Sequence, residues 1–162
     1  FAVTAGIGAE KKEKEFLDQL DDYSNIIFKG LCDRLAESFA ECLHARVRRD
    51  LWGYAADETL DRDAMIAEKY QGIRPAPGYP ACPDHTVKKT LFDTLNAPEV
   101  GIEVTDSFAM IPPSSVSGFY LAHPQATYFT AGQIGDDQVQ DMARRRGIDV
   151  DELRHRLAQN LA

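Results

Sequence analysis

The stretch GIRPAPGYPACPDH, residues 72–85, holds four of the eight prolines in the chain. Proline fixes φ and lacks a backbone N–H, so this stretch excludes both a helix and a central strand. It predicts an ordered loop with a nearly invariant path, which we call the proline loop. A loop of this kind loses little entropy when it presents its backbone to a ligand.

The part of the chain before the proline loop has helical patterning. Residues 11–50 are predicted to form one long helix, because apolar residues recur every three or four positions and predict a buried stripe. The opening FAVTAG predicts a short strand, and shorter helices are predicted over 61–70 and 84–96, the second capped by Asp84. The stripe on the long helix comprises Leu20, Tyr23, Ile27, Leu31, Leu35, Phe39 and Cys42.

The part after Pro98 is richer in β-branched and aromatic residues, with turn residues between them. Strands are predicted near 102–105, 107–111, 116–122 and 127–134, in an antiparallel arrangement. Two helices follow, over 136–146 and from Asp149, where Glu152 completes a capping box. Because helices and strands occupy separate blocks, we predict an α+β fold in a single domain over residues 1–162.

The charge of the chain limits its partners. It has 18 basic and 26 acidic residues and a net charge of −8, which argues against a nucleic acid or an anionic membrane as the main partner. No apolar run approaches the roughly 20 residues of a membrane span. Cys32, Cys42 and Cys82 show no disulfide pattern and favour a reducing compartment, so we expect a cytoplasmic protein.

Motifs for metal binding and nucleophilic catalysis are weak. Cys82 and His85 form a C-x-x-H pair, but no second pair completes a zinc site, so no metal is expected here. The four histidines lie in no recognisable nucleophile motif, and G-x-S-x-G is absent. The glycines of the proline loop do not follow a phosphate-binding spacing.

The proline loop offers groups for a different ligand. Arg74 carries a flat guanidinium that can bind a carboxylate through two hydrogen bonds, and Tyr79 adds an aromatic face. With Glu68 nearby, these groups suit a zwitterionic ligand with a flat ring. Equally, Arg74 can hold the loop by pairing with a neighbouring acid. The predicted long helix adds an acidic row, either a solvated face or the lining of a cleft, formed by Asp33, Glu37 and Glu41.

Several stretches together resemble a known family. YQGIRPAPGYPACPDH contains R-x-x-x-G-Y as Arg74, Gly78 and Tyr79. It resembles the S-adenosylmethionine (AdoMet) binding motif of the activation domain of cobalamin-dependent methionine synthase. DDYSNIIFKGLCDRLAESFAECLHARVRRDLWGYA, DSFAMIPPSSVSGFY and HPQATYFTAGQI support the resemblance, which covers essentially the whole chain in order. Because the family's domain begins well before the position of Phe1, we expect this chain to be its C-terminal portion.

The resemblance implies which residues contact AdoMet. Arg74 would hold the carboxylate of the ligand. The backbone of Ala76 and Gly78 would meet the adenine end, with Tyr79 packed nearby. Tyr128, in the stretch ATYF, matches a tyrosine of the family's site.

Two acidic residues also match positions close to the ligand in the family. They are Glu37 and Glu68, and a carboxylate near the sulfonium lowers the energy of the cationic ligand. The resemblance thus favours a site role for Glu37 over a solvated one. Asp33 and Glu41 are weaker candidates, and Asp33 can instead face the cobalamin domain.

The family implies a function in reactivation. The intact enzyme makes methionine by moving a methyl group from methyltetrahydrofolate to homocysteine through cobalamin. When the cofactor is oxidised to cob(II)alamin, this domain presents the AdoMet methyl group to it, while a flavodoxin-type protein supplies an electron. Cobalamin is held by another domain of the enzyme, as is zinc, so this chain alone is expected to be inactive. The implied fold has long helices packed around a bent antiparallel β-sheet.

A second interpretation remains open at this point. The acidic balance and the long helix can form a docking surface, which would make the chain a non-catalytic docking module for a corrinoid domain or flavodoxin. Such a module would bind those proteins but show no saturation with AdoMet.

Overall fold

A computed structural model describes residues 1–162 and contains six α-helices and four short strands. The helices are α1 (Ala9–Asp18), α2 (Asp22–Arg46), α3 (Arg62–Ile66), α4 (Val87–Leu95), α5 (Asp136–Arg146) and α6 (Val150–Arg156). The strands are β1 (Ala2–Thr4), β2 (Glu103–Val104), β3 (Met110–Ile111) and β4 (Ser115–Ser117). None of the helices combines the length and the apolarity needed to cross a membrane. The mixture of helices and small antiparallel sheets confirms the predicted α+β class.

The region predicted as one helix over 11–50 is a helical hairpin followed by a π-helical turn. Helix α1 ends at Asp18, and Leu20 adopts a left-handed conformation with φ 57°. Asp21 then caps α2 by accepting a hydrogen bond from the backbone N of Ser24 at 3.0 Å. A contact between Phe16 and Phe28, with ring centroids 6.0 Å apart, joins the two helices. The prediction of a single helix was wrong because no proline or glycine marks the reversal.

The apolar stripe predicted to be buried on α2 is exposed. Leu31, Leu35 and Phe39 are 57%, 61% and 48% exposed, and the other members of the stripe are exposed as well. The covered face instead carries small residues, including Ala36 and Ala40, which let the helix approach β1 and β4 closely. Successive residues lie about 100° apart around a helix, so the two rows face different directions. Apolar spacing alone does not say which face is covered.

The strands pair in two separate sheets of two strands each. β1 pairs antiparallel with β4, with Val3 opposite Val116, and β2 pairs antiparallel with β3, with Val104 opposite Met110. The strand predicted over 116–122 is paired only at its start. Beyond β4, only an isolated bridge between Leu121 and Ile73 continues it.

No strand forms over 127–134, so that prediction was wrong. Residues in this segment bond to irregular parts of the chain rather than to a ladder. Ala131 donates its backbone N–H to Pro80 of the proline loop at 2.8 Å, and Ile134 donates to Asn160 at 2.7 Å. The segment thereby lies across the proline loop, which places Tyr128 beside that loop.

Helices α3 and α4 are shorter than predicted. Asp61 caps α3 by accepting a hydrogen bond from the backbone N of Ala64 at 2.8 Å, but the helix ends at Ile66. Helix α4 begins at Val87, because Asp84 bonds to the backbone and hydroxyl of Thr86 and to Arg146 on α5 instead of capping a helix.

Two apolar clusters form most of the core. One lies under α4 and includes Leu91, Phe92 and Ile102. The other joins α5 to α6 through residues including Val139 and Leu153, which are fully buried. The covered face of α2 also contains buried polar residues, Asn25 and His44.

Candidate functional site

A cleft of about 420 Å³ lies between α2, the proline loop, β4 and residues 128–130. It adjoins a smaller pocket of about 150 Å³. Glu37, Ala76 and Tyr79 line both spaces, so the two form one continuous concave surface. Small-molecule sites in proteins typically measure roughly 300–1,000 Å³, and the cleft falls within that range.

Backbone hydrogen bonds hold the proline loop in place beside the cleft. Ile73 and Leu121 exchange two bonds of 3.0 Å, and Phe119 donates to the carbonyl of Pro75 at 2.9 Å. Within the loop, Gly78 donates to the carbonyl of Cys82 at 2.7 Å. These bonds tie the loop to the strand region at its start and to itself at its tip, as the prediction of an ordered loop requires.

Gly78 is required by the shape of the loop. Its φ of 95° lies in the left-handed region, which side chains disfavour. The ring of His85 also fills the space that a Cβ at this position would need. The glycine of the R-x-x-x-G-Y motif therefore allows His85 to pack directly against the loop backbone.

Arg74 lines the cleft with its guanidinium held by two partners. Nη2 donates to Glu41 Oε2 at 3.0 Å, and Nη1 donates to His44 Nδ1 at 3.2 Å. Burial opposes the positive charge of Arg74, but the bond to Glu41 and the charge of that residue outweigh it and raise the pKa of the guanidinium. The sequence left two roles open for Arg74, ligand binding and pairing with a neighbouring acid. In the structure Arg74 pairs with Glu41 and also lines the cleft.

Tyr128 joins the proline loop to the segment that crosses it. Its hydroxyl accepts a hydrogen bond of 2.9 Å from the backbone N of Arg74 and lies 3.4 Å from the hydroxyl of Tyr70. Burial raises the pKa of Tyr70, and the bond to Tyr128 adds to this effect. The phenol of Tyr70 therefore remains neutral at physiological pH and acts as a hydrogen-bonding group.

A buried ion pair packs against Tyr70, whose hydroxyl contacts Tyr128 at the cleft. Arg48 is fully buried, and its Nε and Nη2 each donate to a carboxylate oxygen of Glu58 at 2.7 Å. The guanidinium carbon of Arg48 also lies 4.2 Å from the centroid of the Tyr70 ring. Such a pair is costly to break, because the remaining charge would be left buried without a partner.

The structure brings together most of the residues implied to contact the ligand. Glu68 is exposed beyond α3 and lines neither space. Asp33 also lies outside them and accepts a hydrogen bond from Ser114 Oγ at 2.7 Å. The predicted residues that line the cleft are Glu37, Arg74, Ala76, Tyr79 and Tyr128, and Gly78 lines the adjoining pocket.

Sequence reasoning missed several residues of the site. His44 and Tyr70 hold Arg74 and Tyr128, and Phe1 and Phe129 line the cleft. One signal was available for His44, since it lies three residues after Glu41 and seven after Glu37, on the same side of α2. No group of three or more histidine, cysteine, aspartate or glutamate side chains lies close enough to hold a metal ion.

Comparison with known proteins identifies the family of this chain. Residues 1–147 match the family model "Vitamin B12 dependent methionine synthase, activation domain". A solved structure described as "Crystal Structure of the MetH Reactivation Domain bound to AdoHcy" is 51% identical to this chain, with a TM-score of 0.95. The match covers 99% of this chain and 50% of that one, so this chain spans half the length of its relative. These findings confirm the resemblance read from the sequence, and the chain belongs to the activation domain family of vitamin B12 dependent methionine synthases.

Proposed function

We propose that this chain binds AdoMet in the cleft and presents the methyl group of the ligand to cob(II)alamin held by another domain. The reaction is a reductive remethylation that returns an oxidised cobalamin to the methylated form. The relative with 51% identity was solved with AdoHcy, the demethylated product of AdoMet, which supports this ligand class over a docking role without a nucleotide.

The residues of the cleft fit the two ends of AdoMet. Two of the five guanidinium N–H groups of Arg74 bond to Glu41 and His44, so three remain for a ligand carboxylate. Glu37 adds a carboxylate to the same wall, where it lowers the energy of a sulfonium cation. Tyr79 and Tyr128 supply aromatic surface, and the backbone of Ala76 and Gly78 supplies hydrogen-bonding groups for the adenine end.

Arg74 carries the proposal. It is the arginine that lines the cleft, and its guanidinium is oriented by two hydrogen bonds before any ligand binds. An oriented group forms its hydrogen bonds to the ligand at a lower entropic cost. The protein contributes placement of the methyl donor, a proximity effect, and no residue of the cleft needs to act as a general acid or base.

The remaining parts of the reaction belong to partners. When bound in its own domain, cobalamin supplies the cobalt that receives the methyl group, and a flavodoxin-type protein supplies the electron. We propose that the 162 residues form one domain, the C-terminal portion of the activation domain in a cytoplasmic methionine synthase. The three free cysteines are consistent with a reducing compartment. This chain alone is expected to show no turnover, because the methyl acceptor lies elsewhere.

Isothermal titration of the full-length protein with AdoMet tests the proposal. Arg74→Ala should weaken binding about ten- to a hundredfold, because a hydrogen bond between charged groups contributes roughly 1.5–3 kcal/mol. Arg46→Ala is the matched control, since Arg46 is an exposed arginine on α2 outside the cleft. Undiminished AdoMet binding by Arg74→Ala would contradict the proposed site.

A further inference from the structure

The ring of His44 is enclosed on every side. The residue is fully buried, and its ring stacks on that of Tyr120 at a centroid distance of 5.0 Å. The edge of Tyr70 packs against it at 4.8 Å. The two ring nitrogens reach different partners, because Nδ1 lies 3.2 Å from Arg74 Nη1 and Nε2 lies 3.3 Å from the hydroxyl of Tyr54. The imidazole therefore has one position and one orientation.

The chemistry of its partners assigns the proton of His44. A guanidinium only donates hydrogen bonds, so Nδ1 must accept the bond from Arg74 and cannot carry a proton. The single proton of the neutral ring is then on Nε2, which donates to the hydroxyl of Tyr54. A doubly protonated ring would point an N–H at the guanidinium and lose this contact.

The charges around the ring also favour the neutral form. Arg48 lies four residues after His44, in the π-helical turn that follows α2, and Arg74 faces Nδ1 from the proline loop. Each guanidinium is itself paired with a carboxylate, Arg48 with Glu58 and Arg74 with Glu41. Burial lowers the pKa of His44 to about 3, with further contributions from Arg48 and Arg74. The other titratable groups facing the ring are the phenols of Tyr54, Tyr70 and Tyr120.

We infer that His44 is a positioning residue, whose neutral imidazole accepts a hydrogen bond from Arg74 and so aims the guanidinium at the carboxylate of the ligand. The inference rests on the proposed function, since it specifies how the AdoMet site is oriented. Glu41 alone holds one end of the guanidinium, which leaves rotation about that bond. The second bond, from Nη1 to His44, removes this freedom.

Two substitutions separate positioning from general support of the fold. In His44→Asn the side-chain oxygen lies near the place of Nδ1 and can still accept from Arg74. In His44→Gln the amide lies near the place of Nε2, which keeps the contact with Tyr54 and loses that with Arg74. Both variants are neutral and polar, so they form a matched pair.

Titration with two ligands measures how each His44 substitution affects binding of the ligand's carboxylate. AdoMet carries the amino-acid carboxylate, whereas 5′-methylthioadenosine lacks it. In the full-length protein, His44→Gln should weaken AdoMet binding about tenfold, the equivalent of one hydrogen bond to a charged group, and change 5′-methylthioadenosine binding less than about twofold. His44→Asn should retain AdoMet affinity to within about threefold of the wild type.

The outcomes distinguish the inference from the function on which it rests. Undiminished AdoMet binding by Arg74→Ala would overturn both. If Arg74→Ala weakens AdoMet while the two His44 variants weaken both ligands equally, or neither ligand, only the positioning role is overturned. Imidazole ¹⁵N NMR of the wild type gives an independent check that needs no variant, because a protonated Nδ1 at neutral pH would contradict the assigned hydrogen bond.

Discussion

Because His44 is buried and neutral, acid should lower the free energy of unfolding of this protein. Substitution of His44 should abolish that part of the loss. The folded-state pKa of His44 is about 3, below the unfolded value of about 6.5, so in the range between them the unfolded state binds a proton that the folded state does not. Stability from this group is therefore present above pH 6.5 and lost as the pH falls from 6.5 towards 3. At pH 5.0 the loss relative to pH 7.5 is about 2 kcal/mol, at about 1.36 kcal/mol per pH unit.

Urea denaturation of the wild type and of His44→Gln at pH 7.5 and pH 5.0 measures this loss. The other titrating groups are common to both proteins and cancel in the comparison. The wild type should lose about 2 kcal/mol more than His44→Gln on acidification, whatever the effect of the substitution at pH 7.5. Equal losses in the wild type and His44→Gln would refute the claim that His44 is neutral and buried.

Three further substitutions test other parts of the structure. Glu58→Gln leaves the charge of Arg48 buried without a partner and should cost about 3–5 kcal/mol in urea denaturation. Gly78→Ala places a Cβ against His85 at a positive φ and should cost about 1–3 kcal/mol and weaken AdoMet binding. Leu35→Gln should change stability by less than about 0.5 kcal/mol and reduce binding of a hydrophobic dye, because the leucine is exposed.

Matched controls make two of these tests decisive, those of Glu58→Gln and Leu35→Gln. Asp63→Asn breaks the exposed pair with Arg62 and should cost less than about 1 kcal/mol, so a similar cost for Glu58→Gln would contradict its burial. Ala36→Leu overpacks the covered face of α2 and should cost about 1–3 kcal/mol. A larger cost for Leu35→Gln than for Ala36→Leu would show that the faces of α2 had been assigned the wrong way round.

The α2 helix shows where local pattern stops being informative. It is apolar on one row and lined with small residues on the next, and either row can serve as a packing face. The larger side chains of the first row predicted burial, yet β1 and β4 pack on the second because alanine lets backbones approach. The choice depends on what lies opposite, which is not encoded within the helix itself.

The residue pairs that build the site are far apart in the chain. Arg74 bonds to His44, 30 residues earlier, and its backbone bonds to Tyr128, 54 residues later. The R-x-x-x-G-Y motif is local and was found from sequence, as was the candidacy of Glu37. The roles of Glu41 and His44 are visible only in the structure, where Arg74 of the proline loop bonds to both residues on α2.

The amino-acid sequence by itself determined the irregular path of residues 72–85, the α+β order of the elements and the family resemblance. Each follows from adjacent residues, through the fixed φ of proline or a short motif. Tertiary structure alone decided which face of α2 is covered, that residues 127–134 cross the proline loop instead of forming a strand, and that a neutral histidine holds Arg74. Those outcomes depend on contacts between distant segments, whose energies are set by packing and burial rather than by local backbone preference.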